Sequence, residues 1–152
     1  MRWRIAAAIA ILGIAGIPAI AQAVEAHATS THVTVKPGAG STGSHFAISF
    51  RAGVATIPNG SIIRSYRVTA SAAKRSGCQW SAAESAPSAA KGATVRVTLS
   101  PGTRSAWCTG TYKGQVWLYQ TVRCGPPVDA ACPQVVIRPQ VVGTFTFRVT
   151  RG

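Results

Sequence analysis

The chain has 152 residues, with 16 Lys and Arg against three Asp and Glu, a formal net charge of +13. That length fits one domain with its own core and does not comfortably fit two. Three carboxylates (Glu25, Glu84 and Asp129) argue against acid–base catalysis by a carboxylate pair, and the chain is expected not to be an enzyme.

Residues 1–23 read as a signal peptide. M-R-W-R is a basic start, Ile5 to Ile20 carries no charge, and small residues follow Pro18. Cuts after Ala23, Ala26 or Ala28 all fit the small-residue rule, and an uncleaved anchor is the alternative. Losing Arg2 and Arg4 with the leader lowers the net charge to +11. The leader makes the rest expected to be secreted or otherwise extracytoplasmic, at the cell surface or in the periplasm, and no later stretch is apolar enough to span a membrane. The Ala- and Arg-rich, Lys-poor composition suggests a bacterial source.

From there the chain reads as strands separated by Gly and Pro turns. Thr31 to Lys36 is a short strand stopped by Pro37-Gly38, and Gly38 to Ser44 is a turn. Ser44 to Ala52 alternates, with Phe46, Ile48 and Phe50 inward. After Pro58-Asn59-Gly60, Ser61 to Ala72 places Tyr66, Val68 and Ala70 inward. Lys74 to Gly92 predicts a short strand at Cys78–Trp80 followed by a loop, although alanine content also permits a helix over Ser81–Ala86. Ala93 to Leu99 puts Val95, Val97 and Leu99 inward.

The longest strand signal runs from Trp107 to Arg123. Tyr112, Val116, Leu118 and Val122 share one side; Lys113, Gln115, Thr121 and Arg123 share the other. Val141 to Thr150 answers it with Phe145, Phe147 and Val149 inward, as the second arm of a long hairpin that starts near Val135 and bends at Pro139. Six or seven short strands with almost no helix predict an all-β, antiparallel β-sandwich over residues 31–151, with a barrel as the alternative.

Four cysteines, Cys78, Cys108, Cys124 and Cys132, imply two disulfides in an exported chain. Of the three pairings, the local Cys124–Cys132 is expected, which leaves Cys78–Cys108. Trp80 and Trp107 stand beside that second pair and are expected to shield it.

The strand order, the W-C-x-G-x-Y-x-G-x-V segment and the closing F-x-F-x-V strand resemble secreted bacterial immunoglobulin-like domains. The resemblance implies a fold and a compartment, and no ligand. It departs from antibody-type domains in two ways: the Ser44–Ala52 strand lacks a cysteine, and Ala106 stands where a tyrosine would precede Cys108 by two residues.

No catalytic residue and no cofactor is assigned. There is no G-x-S-x-G elbow, no phosphate-cradling loop, and no thiol if all cysteines pair. A zinc site does not fit the cysteine spacing. A copper-binding sandwich is the alternative function: a cut after Ala26 would expose the amine and ring of His27, with His32 or His45 adding an imidazole.

The favoured function is a non-catalytic binding or structural module of the bacterial envelope. Its outward cations, Arg51, Arg67, Arg96, Lys113, Arg123 and Arg148, either serve solubility or adhere to an anionic polymer, a phospholipid surface or a glycan. Another surface protein is a further possible partner; nucleic acid is a weaker one, because no recognition module is visible. Trp117 and Tyr119 have outward parity beside Lys113 and Arg123. Stacking on sugars is one role for them, and packing beneath a loop or the opposite sheet is the expected one.

Overall fold

A computed structural model of the chain describes residues 31–56, 62–122 and 136–152. The leader, Cys124, Cys132, Arg123, Asp129 and His27 lie outside the described residues. Eight strands are present among those described: β1 (Val33–Lys36), β2 (Ala39–Ser41), β3 (Phe46–Arg51), β4 (Ile62–Ser71), β5 (Ser81–Ser85), β6 (Thr94–Leu99), β7 (Gly110–Val122) and β8 (Val136–Thr150). No described helix is long and apolar enough to cross a membrane.

Two sheets form. One has the order β1-β3-β6 and is antiparallel; the other has the order β2-β8-β7-β4-β5 and is mixed. The all-β expectation holds, while the purely antiparallel one does not. Ala39–Ser41 pairs in parallel with Arg148–Thr150, where the sequence predicted only a turn. The chain leaves β1 at the cis Lys36–Pro37 bond and crosses to the other sheet within a few residues.

A second correction concerns S-A-A-E-S. It is neither loop nor helix; it is β5, an edge strand paired antiparallel with Arg67–Ser71 of β4. The expected strand at Cys78–Trp80 shrinks to one isolated bridge between Gln79 and Trp107.

The two sheets meet through the inward residues of each strand. Phe46, Ile48, Phe50, Val95, Val97 and Leu99 come from the smaller sheet. Tyr66, Val68, Tyr112, Val116, Leu118 and Phe147 come from the larger, all within one buried cluster. The rings interlock: Phe46 stacks on Phe147 with centroids 4.0 Å apart, and Phe147 stacks on Tyr112 at 4.8 Å. Trp107 meets Phe46, Tyr112 and Phe147 edge-on. Each such aromatic pair adds about 0.5–1.5 kcal/mol beyond the burial itself.

The β7–β8 hairpin is regular until Val116, which pairs with Gly143; Trp117 then pairs with Val141. The extra residue, Val142, is a bulge and is buried. A second irregularity spans Gln140 to Ile137 and contains Pro139, which lacks the N–H a regular ladder needs. Glycine is required twice here. Gly114 faces Phe145, whose ring fills the space a side chain would take, and Gly143 lets Val33 and the Thr31 carbonyl approach β8.

At the other end a clasp holds the entry to β7. Cys78 and Cys108 form the expected disulfide. The Gln79 backbone N–H donates to Ala106 O (2.8 Å), and the Cys108 N–H donates to Gln79 O (3.1 Å). Tyr112, fully buried, shares its hydroxyl proton between Gln79 O (2.6 Å) and Cys108 O (3.1 Å). Trp107 is part of the core. Trp80 is half-buried, with the Lys74 ammonium 5.9 Å above its ring.

Burial raises the Tyr112 phenol above its ordinary 10.0, against the lowering influence of its bond to Cys108 and of Arg75. The neutral phenol is the form that the fold favours. Its contribution is present below the ordinary value and is lost as pH rises through the raised one. Tyr112→Phe is expected to cost roughly 1–2 kcal/mol at pH 7, since Gln79 O keeps its bond from Cys108 while Cys108 O loses the hydroxyl. Urea titrations at stepped pH check both parts: the gap between wild type and variant should narrow above about pH 10.

Candidate functional site

Outward positions along each strand define two exposed faces, one per sheet. On the larger sheet, β7 presents Lys113, Gln115, Trp117 and Tyr119 outward, between β4 and β8. Register sets their neighbours. Trp117 lies between Arg67 of β4 and Val141 of β8, and Tyr119 lies opposite Ser65. The Val142 bulge is what turns Val141 outward, where it is 43% exposed.

Trp117 and Tyr119 are therefore not core residues, contrary to the expectation. Both are half-buried on the outer face. The Trp117 indole N–H donates to Thr69 Oγ1 at 3.1 Å, so a hydrogen bond to the next strand fixes one edge of the ring.

Four residues along β7, about 13 Å from Trp117, Lys113 sits between Ser71 and Thr146. A shallow depression of about 640 Å³ surrounds it, lined by Ser71, Lys113, Gln115, Thr144 and Thr146. It has one cation, several hydroxyls and an amide. Arg123, the fourth residue of the proposed set, is outside the described residues, so the structure brings together Lys113, Trp117 and Tyr119 on one face.

The smaller sheet carries a counterpart. A depression of about 380 Å³ is lined by Thr31, His32, Thr34, Ser49, Arg51 and Thr94. Thr34 pairs with Ser49, and Arg51 with Thr94, so these side chains are neighbours on the outer face. Thr31 Oγ1 donates to the Arg51 carbonyl at 3.0 Å and closes one end.

The histidines are not gathered. His32 precedes β1 at the level of Arg51, whereas His45 precedes Phe46 at the far end of β3, about 20 Å away by strand rise. His45 Nδ1 shares a 2.7 Å hydrogen bond with Ser100 Oγ, tying the start of β3 to the end of β6. Among the described residues no group of three or more His, Cys, Asp or Glu converges as a metal site would need. Glu84, the one carboxylate side chain among them, is exposed on β5 opposite Val68.

The sequence reading missed one polar pair. Arg64 and Gln120 face each other across β4 and β7 on the inward parity, with Arg64 Nε donating to Gln120 Oε1 at 2.9 Å. Gln120 is 5% exposed. Period-two counting from Tyr66 and Leu118 reaches both positions, so the signal was available. The partner satisfies an amide that would be costly to bury alone.

Comparison of the chain with family models, with curated proteins and with solved structures gives no match.

Proposed function

We propose that the chain is an exported, non-catalytic adhesion module of immunoglobulin-like type that binds an anionic polymer of the bacterial envelope. The observation that carries the reading is the charge of the outer faces. Arg67, Lys113 and Arg148 stand exposed on one, and Lys36, Arg51 and Arg96 on the other. The one described carboxylate, Glu84, shares the inward parity of Val68 at the sheet edge.

Strand order supports the immunoglobulin-like reading. β1-β3-β6 against β8-β7-β4 follows the A-B-E and G-F-C arrangement, with β5 added at one edge and β2 at the other. Tyr112 gives further support: its hydroxyl reaches back four residues to Cys108 O, as the tyrosine of the corner motif does at the start of the F strand. The disulfide is placed differently, between the β4–β5 connection and the entry to β7. A disulfide with its Cys108 end buried is compatible with a compartment outside the cytoplasm, and the leader-like residues 1–23 point the same way.

Electrostatic adhesion has a salt signature, because exposed charges are screened beyond a Debye length of about 10 Å at 0.1 M. Sedimenting the protein with purified bacterial cell walls is expected to show retention at about 20 mM salt that falls at least fivefold by about 300 mM. No retention at the lower salt overturns the reading.

A further inference from the structure

We infer that the two cationic faces act separately, so that one molecule bridges two chains of a linear acidic polysaccharide. The inference rests on the adhesion proposed above and goes on to its valence. Its basis is the pair of cups, each with one cation among Ser and Thr hydroxyls, on opposite sides of the domain. Lys113 lies among Ser71, Thr144 and Thr146; Arg51 lies among Thr34, Ser49 and Thr94.

The two sheets pack face to face over a shared apolar core, so their outer faces point in opposite directions. Packed sheets stand about 10 Å apart, and side chains on the outer faces lie further apart still. A single extended chain lying along one face does not reach the other without bending around an edge.

Each face presents its cations as a ladder. On the smaller sheet, Lys36 pairs with Ala47 and Arg96 with Ser49, so Lys36, Arg96 and Arg51 stand at successive two-residue steps of β3. That is about 7 Å per step along the strand. On the larger sheet, Arg67 stands at the level of Trp117, then come Lys113 and, opposite Thr111, Arg148, over about 20 Å. Surfaces tuned for solubility alone intersperse both signs. Among the described residues, the charged side chains on these faces are all positive.

The same surfaces favour a sugar polymer over a nucleic acid. Hydroxyl donors and acceptors flank the cations on both faces, and the outer face of the larger sheet adds the half-exposed Trp117, fixed by Thr69. Rings of that kind stack on the apolar face of a sugar. No described element has the form of a groove-reading helix or ribbon.

Light scattering of polygalacturonate titrated with the protein at about 20 mM salt tests the inference. Scattering is expected to rise, peak at an intermediate ratio and fall in excess protein, as a bivalent linker saturates each chain separately. Two triple variants, one per face, separate binding from bridging: Lys36→Gln, Arg51→Gln, Arg96→Gln, and Arg67→Gln, Lys113→Gln, Arg148→Gln. All six positions are exposed, and circular dichroism confirms folding. Each variant should still bind the polymer within tenfold of wild type by affinity electrophoresis while its scattering peak falls at least tenfold.

Wild type that binds without scattering at any ratio overturns bridging and leaves adhesion standing. Wild type that does not bind overturns both. Undiminished scattering by either variant also overturns bridging by these faces. Scattering with duplex DNA and none with polygalacturonate overturns the choice of partner.

Discussion

Replacing Cys78 and Cys108 together by alanine is expected to lower stability by about 3–4 kcal/mol, with the midpoint of thermal unfolding falling by roughly 12–15 °C. The bridge closes a loop with a sequence separation of 30. In the chain-entropy account, a loop of that length restricts the unfolded ensemble by about that much. The loop contains β5 and β6, one from each sheet, so its closure holds a two-layer pairing that local contacts alone would not specify.

The variant is expected to fold. Gln79 keeps its backbone bonds to Ala106 and Cys108, and its Oε1 still accepts from Gly102 N at 2.6 Å and Ser105 Oγ at 3.0 Å. Urea denaturation should therefore show a cooperative transition at lower concentration, with a steeper slope as the unlinked unfolded chain exposes more surface. A loss under about 1 kcal/mol would mean that the hydrogen-bonded clasp, and not the sulfur bridge, closes the loop.

Alternation made the core readable in advance. Among the described side chains, the inward sets of β3, β4, β6, β7 and β8 are buried where counting by two placed them, because a half-buried strand cannot slip by one residue without turning its apolar face to water. Two strands escaped that logic for the same reason. Ala39-Gly40-Ser41 and S-A-A-E-S contain no aromatic and no β-branched residue. Their extended form comes from the strand each lies beside, β8 and β4, and pairing partners far along the chain leave no mark in a local window.

The outer surface was only half legible. Parity placed Lys113, Trp117 and Tyr119 on one side correctly, yet it could not say what covers that side. Val141 became Trp117's neighbour only through the bulge at Val142, and nothing in V-V-G distinguishes the residue that turns outward from the one that turns in. The division of cations into two faces was further out of reach. Arg51 and Arg67 have the same outward parity in the sequence, and only the sheet order sends them to opposite sides of the molecule.

Trp107→Ala should be the most damaging single change among the core aromatics, at about 3–5 kcal/mol for the burial and the cavity. Trp107 is the largest fully buried side chain among the described residues and is 1% exposed. It touches three other aromatic rings, and it also anchors a turn. Its backbone N–H donates to Thr42 O and its indole N–H donates to Ser44 O, each at 2.8 Å. Those two bonds fasten the β2–β3 connection to the entry of β7, so one residue supports both the centre of the core and a weak edge.

β2 has only three residues, and its ladder to β8 is short. Loss of the tryptophan should therefore act unevenly. Native-state hydrogen exchange is expected to quicken at Gly40 and Ser41 by at least tenfold more than at Val68 and Val116 in the central strands. Trp107→Phe keeps an aromatic ring and loses the bond to Ser44, so it should cost roughly 1–2 kcal/mol and reproduce part of the β2 effect. An equal quickening at all four positions in Trp107→Ala would show that the side chain acts through global stability alone, with no separate hold on the edge.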